Sequence, residues 1–239
     1  MKNTNEDYKK LVEHWNNVFR LTEEDREAGE NAGNETWGDE ELKEMTPSEK
    51  LFIAATSLGN CEKVLDYGCG NGWAGLSAAR SGCEAVTCAD PAENALEAVK
   101  LYARMFGVED RIKTVCIDET WIGNVEDEAY DGLICSNVLD VIPEDMAEDI
   151  MKNAARILKK GGRVVIGMNN YLDPAAAKKR GLDLQNGNRL YVDGVLRLVS
   201  RSDEEWNEIL GKYFTVERLE HFSWPGETKE GRRLFYLSK

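Results

Sequence analysis

Three carboxylates stand where short apolar runs end. Asp66 follows Val64-Leu65, Asp90 follows the run 83–89, and Asp118 follows the run 112–117. After the first of them comes Gly68-Cys69-Gly70-Asn71-Gly72, with glycine at every second position. Glycine has no Cβ, so this backbone can turn sharply and let a ligand press against it. A carboxylate about twenty residues beyond such a loop, as Asp90 is, is placed to accept both hydroxyls of a ribose. Apolar strand, glycine-rich turn and following helix together make the nucleotide-binding start of a doubly wound α/β domain.

The spacing of the glycines discriminates among ligands. A dinucleotide fingerprint reads G-x-G-x-x-G, and its third glycine lets the helix approach the strand. Here that position is Trp73, while Gly72 comes one residue early. A phosphate-binding P-loop is also excluded, because no Lys-Ser/Thr pair follows the glycines.

The loop instead resembles motif I of the class I S-adenosylmethionine (SAM) dependent methyltransferases. Further matches follow in order over residues 60–170: Asp90-Pro91, Asp118, the aromatic-Asp start of a fourth strand at Tyr130-Asp131, and the turn Leu158-Lys159-Lys160-Gly161-Gly162-Arg163, with Lys160 where the family has proline. The run Ile117-Asp118-Glu119-Thr120-Trp121 departs from the family's Gly-Asp-Ala with a later Leu-Pro. The resemblance implies roles. Asp66, Gly68, Cys69, Gly70 and Gly72 would cup the amino-acid portion of SAM. Asp90 would hold the ribose hydroxyls and Pro91 the adenine, with Asp118 at the adenine amino group. Glu119 beside it, and Asn137 at the carboxyl end of strand four, join the cofactor contacts. The resemblance implies a Rossmann-like doubly wound sheet of about seven strands, mostly parallel with an antiparallel last strand and helices on both faces.

The elements that must position these residues are legible as well. Strand and helix patterns alternate from Val64 to Met168, with helical stretches at 93–106 and 144–158, which demands crossover connections and a parallel sheet. Residues 1–60 read as an N-terminal helical cap or lid before a SAM-binding domain at 61–239. In the cap Tyr8, Leu11, Val12, Trp15, Val18 and Phe19 form a stripe at helical spacing, and Trp15 is a residue that such a lid would lay on the cofactor. A looser acidic stretch with Gly29, Gly33 and Gly38 follows, and Thr46-Pro47-Ser48-Glu49 opens the next helix. The segment 171–200 is an insertion after strand five on the substrate side. It carries a hairpin over 189–199 turning at Asp193-Gly194. Ser202-Asp203-Glu204-Glu205 is a capping box.

Composition narrows the function classes. The chain has 239 residues and a net charge of −14. This argues against a nucleic-acid substrate, which usually meets a basic face. No apolar run is long enough to span a bilayer, and no apolar signal region follows Met1, so a cytoplasmic location is expected. Six cysteines without a C-x-x-C pair, and two histidines, point to reduced structural thiols and no metal site.

Ligands of open α/β sheets bind beyond the carboxyl ends of the strands. That rule selects Asn169, Tyr171 and Trp224 for an acceptor, with Arg189 and Tyr191 from the hairpin. His221 is the best general base by type, since imidazole titrates near neutrality. The leading expectation is methyl transfer from SAM to a small molecule by in-line displacement, in a monomer or homodimer. The alternatives are a non-catalytic protein that holds SAM or S-adenosylhomocysteine, and a methyltransferase acting on RNA or protein.

Overall fold

Four helices precede the first strand in the computed structural model, which describes residues 4–31 and 37–239: α1 (Thr4–Val18), α2 (Glu23–Asn31), α3 (Asp39–Met45) and α4 (Glu49–Thr56). The presence of α2 differs from the loose stretch expected there. Its start is fixed locally, because Thr22 Oγ1 accepts from Asp25 N at 3.1 Å and Asp25 Oδ2 accepts from Thr22 N at 2.7 Å. Gly33, counted in that stretch, lies outside the described residues. At eight residues α4 is too short to persist alone. It is held by fully burying Leu51, Ala54 and Ala55, and a buried leucine is worth roughly 1.5–3 kcal/mol.

Alternating strands and helices follow: β1 (Lys63–Tyr67), α5 (Trp73–Arg80), β2 (Ala85–Asp90), α6 (Glu93–Met105), β3 (Ile112–Cys116), β4 (Tyr130–Ser136), α7 (Glu144–Ile157) and β5 (Leu158–Met168). The chain then forms α8 (Pro174–Lys179), β6 (Leu184–Gln185), β7 (Arg189–Val192), β8 (Val195–Val199), α9 (Asp203–Leu210), β9 (Thr215–Phe222) and β10 (Arg232–Ser238). The main sheet has seven strands in the order β3-β2-β1-β4-β5-β10-β9. The first five pair in parallel, and β10 runs antiparallel between β5 and β9. Strand order reverses between β1 and β4, so the crevice for a ligand opens at their carboxyl ends.

Side-chain alternation along β1 decides which residues meet which layer. Val64 packs in the core cluster with α4, α5 and α6, whereas Leu65 and Tyr67 pack in the cluster with α7 and α9. Asp66 therefore lies on the α5 side. Between the pairs Tyr130/Leu158 and Gly132/Arg163 the register jumps, so residues 159–162 leave the ladder as the turn expected there, with Gly161 at φ 78°.

The insertion carries more than a hairpin. β6 joins β7 and β8 in a three-stranded antiparallel sheet. The turn at Asp193 (φ 52°) and Gly194 (φ 75°) has two positive φ values, the form that matches strand twist. Ser202 caps α9 through Glu205 as its sequence predicts. The six cysteines are free, but Cys116, read as part of a buried strand, is exposed because it ends the edge strand β3. Among the described residues no helix is long and apolar enough to cross a membrane.

Candidate active site

A cavity of about 320 Å³ opens at the carboxyl ends of β1 and β4, within the roughly 300–1,000 Å³ range of small-ligand pockets. Its floor is the loop after β1. Gly68 (φ 67°) and Gly70 (φ 53°) adopt left-handed backbone that side chains rarely take. Asp90, at the end of β2, ties this loop down: Oδ2 accepts from Gly70 N at 2.9 Å and Oδ1 from Ala92 N at 2.8 Å. Each carboxylate oxygen keeps capacity for a further donor from the cavity. Burial pushes the Asp90 carboxyl above the usual range, against the pull of those two amides.

Asp66 has a different place. Its Oδ2 accepts from Gly75 N at 2.8 Å, beneath the first turn of α5, and it does not line the cavity. Burial pushes its pKa up to about 7. Gly72 is likewise off the wall. A Cβ there would meet Val99 Cγ2 at 2.7 Å, so this glycine lets the loop pack on α6. Cys69, Gly68, Gly70, Asp90, Pro91 and Asn137 do line the cavity.

The roof is α1. Tyr8, Leu11, Val12, Trp15 and Phe19 face the cavity, and the rings of Trp15 and Phe19 stack at 5.6 Å. Two anchors hold the helix. Asn16 Oδ1 accepts from Asn94 N at 2.9 Å, and Asn94 Nδ2 donates to Asn16 O at 2.7 Å, at the start of α6. On the other side Tyr191 donates to Asp7 Oδ2 at 3.0 Å, Arg197 donates to His14 Nε2, and the Arg197 guanidinium lies 5.4 Å from the Trp15 ring. Tyr8 also borders an adjoining hollow lined by Glu119 and Tyr67. Burial, and then Glu119, Asp90 and Asp118, push the Tyr8 hydroxyl well above its ordinary range.

The remaining sequence-selected residues divide. Trp224 lines the cavity. Asp118 is turned to its own loop, where Oδ1 accepts from Thr120 Oγ1 at 2.7 Å and Thr120 N at 2.8 Å. His221 does not reach the cavity wall; its Nε2 is 2.8 Å from Asp203 Oδ2. Arg189 is paired with Glu144, and Tyr171 is exposed, neither of them on the wall. Asn169 stands behind the site, where its Oδ1 accepts from Arg232 Nη1 at 2.7 Å and its N donates to Asp140 Oδ2 at 2.7 Å.

Asp140 and Arg233, two buried charges, were not selected from sequence. Asp140 and Arg233 are fully buried, and Arg233 Nη1 lies 3.6 Å from Asp203 Oδ1. An aspartate after β4 and an arginine inside β10 carry no local signal of each other; only a charge in an otherwise apolar strand hints at a partner.

Comparisons agree with this geometry. Residues 64–162 match the family model described as a methyltransferase domain. The chain is 32% identical over 129 residues to a ubiquinone biosynthesis O-methyltransferase of Neisseria meningitidis serogroup C, covering 54% of this chain and 53% of that one. It spans about half the length of the curated relatives it matches. Among solved structures, an S-adenosylmethionine dependent methyltransferase from Mesorhizobium loti superposes with a TM-score of 0.60 at 17% identity, over 78% of this chain and 96% of that one. The N-methyltransferase NodS from Bradyrhizobium japonicum, solved with S-adenosylhomocysteine, superposes with a TM-score of 0.57 at 18% identity, over 80% and 84%. These structural likenesses establish the fold. The sequence match places a methyltransferase domain, by that family model's description, at residues 64–162.

Proposed function

We propose that this protein transfers the methyl group of SAM to a small-molecule acceptor held in the same cavity. The observation that carries the reading is the juxtaposition, in one cavity, of the Gly68–Gly70 turn, the Asp90 carboxylate and Asn137. The residues fit the cofactor. The left-handed glycines admit a close backbone approach, and Asp90 offers acceptor capacity to a ribose diol. Pro91, Ile117 and Tyr8 form an apolar wall beside it for a base. SAM supplies, when bound, a methyl group already activated by its sulfonium.

The chain's own contribution is alignment and the exclusion of water. The α1 roof, clamped to α6 and to the hairpin sheet, closes the cavity over both ligands. Alignment of this kind contributes up to about 7–11 kcal/mol to a bimolecular step. Among the described residues no histidine, lysine or arginine lines the cavity. The reading is therefore direct attack by an acceptor that brings its own lone pair, with His221 outside the chemistry. The acceptor is a small molecule, because the cavity under α1, at about 320 Å³, has small-ligand size and the net charge of −14 disfavours RNA. We further assign α1 within residues 1–60 the part of lid.

Calorimetric titration with SAM and with NAD tests the cofactor. Saturable heat with SAM and none with NAD is expected; the reverse would sink the proposal. Labelled SAM offered with a panel of metabolites then tests transfer, and SAM affinity without transfer to any of them would favour a non-catalytic binding protein.

A further inference from the structure

Two buried N–H donors on the cavity wall have no partner. Asn137 Nδ2 and Trp224 Nε1 are both shut off from solvent, and neither has an acceptor among the described residues. Both residues line the cavity. A buried donor left without an acceptor costs about 1–3 kcal/mol. Trp206 Nε1 and Arg233 Nε and Nη2 are in the same state away from the cavity, and what sets Asn137 and Trp224 apart is their place on its wall.

Both donors are held in place. Asn137 has φ 58°, a left-handed conformation uncommon outside glycine. It is pinned there by its N–H donating to Gly167 O at 2.8 Å and by Ser136 Oγ donating to its Oδ1 at 3.1 Å. With Oδ1 engaged, the amide NH2 is the end left for a ligand. Backbone strain that is over-determined in this way gathers at ligand sites. Trp224 is fixed by its backbone N–H donating to Glu227 Oε2 at 2.8 Å, and Glu227 binds Arg232 through both oxygens. The Arg232 guanidinium lies 3.3 Å from the Trp224 ring centroid. A cation on the π face withdraws electron density from the indole and makes its N–H a stronger donor. Asn169 completes this support by accepting from Arg232.

The rest of the wall limits what can carry the oxygen. It is largely apolar, with Met45, Pro47, Val138, Val141, Ile142 and Met146 on it. Among the described residues it contains no cationic side chain, and Asp90 is its one carboxylate. No side chain of this wall would neutralise an anionic acceptor, and the bound cofactor's sulfonium would be the one positive charge beside it.

We infer that Asn137 and Trp224 form a two-donor site for an oxygen of the methyl acceptor, and that the acceptor is an uncharged, mostly apolar molecule with a carbonyl-type oxygen. This rests on the function proposed above. Asn169, selected from sequence as an acceptor contact, is then a positioning residue for Trp224 through Arg232.

Two matched probes test it, acetophenone and ethylbenzene, which share a shape and differ by the carbonyl oxygen. The chain has six tryptophans, and Trp224→Phe identifies the Nε1–H signal of Trp224 in a spectrum of ¹⁵N-indole-labelled protein. With S-adenosylhomocysteine at saturation, acetophenone is expected to move that signal downfield and to bind about tenfold tighter than ethylbenzene, the worth of roughly 1.4 kcal/mol of hydrogen bonding. In Trp224→Phe the preference should fall toward parity while affinity for S-adenosylhomocysteine holds, and in Asn137→Asp, at a residue first read as a cofactor contact, the preference should fall as well. Equal binding of the two probes to the native protein, or binding of neither, overturns the inference. So does loss of S-adenosylhomocysteine affinity in both variants with the Trp224 signal moved by that ligand alone, since the donors would then serve the cofactor. Failure of the native protein to bind S-adenosylhomocysteine at all would instead count against the proposed function, and the probe comparison can still be read on the free cavity.

Discussion

Phe19 rests on Gly70. A Cβ at Gly70 would come within 2.8 Å of Phe19 Cζ, so the last aromatic of the lid stripe meets the glycine loop where a side chain is absent. Roof and floor of the cavity are thus in contact at one point.

That contact predicts coupling. Gly70→Ala costs about 1–2 kcal/mol from its left-handed backbone alone, and it also displaces Phe19. Phe19→Ala relieves the displacement but not the backbone strain. A double-mutant cycle read by urea unfolding is expected to give a favourable coupling of about 0.5–3 kcal/mol. Additive effects would mean that Phe19 does not rest on the loop in solution.

Asp90 serves the fold and the proposed cofactor together. Asp90→Ala leaves the amides of Gly70 and Ala92 without an acceptor. A loss of about 1–3 kcal/mol in stability is expected. SAM affinity should fall at least about tenfold, because each lost hydrogen bond to a charged group is worth roughly 1.5–3 kcal/mol. Titration calorimetry checks it; unchanged SAM affinity would remove Asp90 from the ribose site.

The lid should open in acid. Burial first, and then the Arg197 charge, lower the pKa of His14. Neutral His14 accepts from Arg197 through Nε2, and a protonated ring cannot. A histidine pKa depressed on folding stabilises the closed form above the unfolded value of about 6.5, and that stabilisation is lost as pH falls below it. Amide exchange in α1, corrected for its intrinsic pH dependence, should accelerate below about pH 6.5. Arg197→Met should weaken this dependence, and a flat profile in the native protein would refute it.

Arg233 supplies the positive charge that faces Asp140 and Asp203. Burial lowers its pKa and raises that of Asp140, while the two groups attract each other. Arg233→Met removes the cation that attracts buried Asp140, and a loss of stability is expected. Adding Asp140→Asn should restore part of this, because the asparagine oxygen still accepts from Asn169 N. Denaturant midpoints of the single and double variants decide the matter, and no rescue would point to lost packing rather than charge.

Local sequence determined the frame. The apolar runs, the glycine turn and the strand-end acids are properties of a few adjacent residues, so Val64–Gly72, Asp90 and the 158–163 turn were legible without a structure. The helix pattern of Tyr8 to Phe19 was legible too, since it depends only on spacing. Tertiary structure decided what these elements meet. One step of strand alternation puts Asp66 under α5 rather than in the cavity, and Val99 claims the space beside Gly72. His221 and Asn169 are at strand ends, as sequence suggests, yet Asp203 and Arg232 take them up, and both partners come from distant segments. The unpartnered donors of Asn137 and Trp224 could not be read in advance for the same reason. Whether a polar group is satisfied depends on everything packed around it, and only the folded chain fixes that.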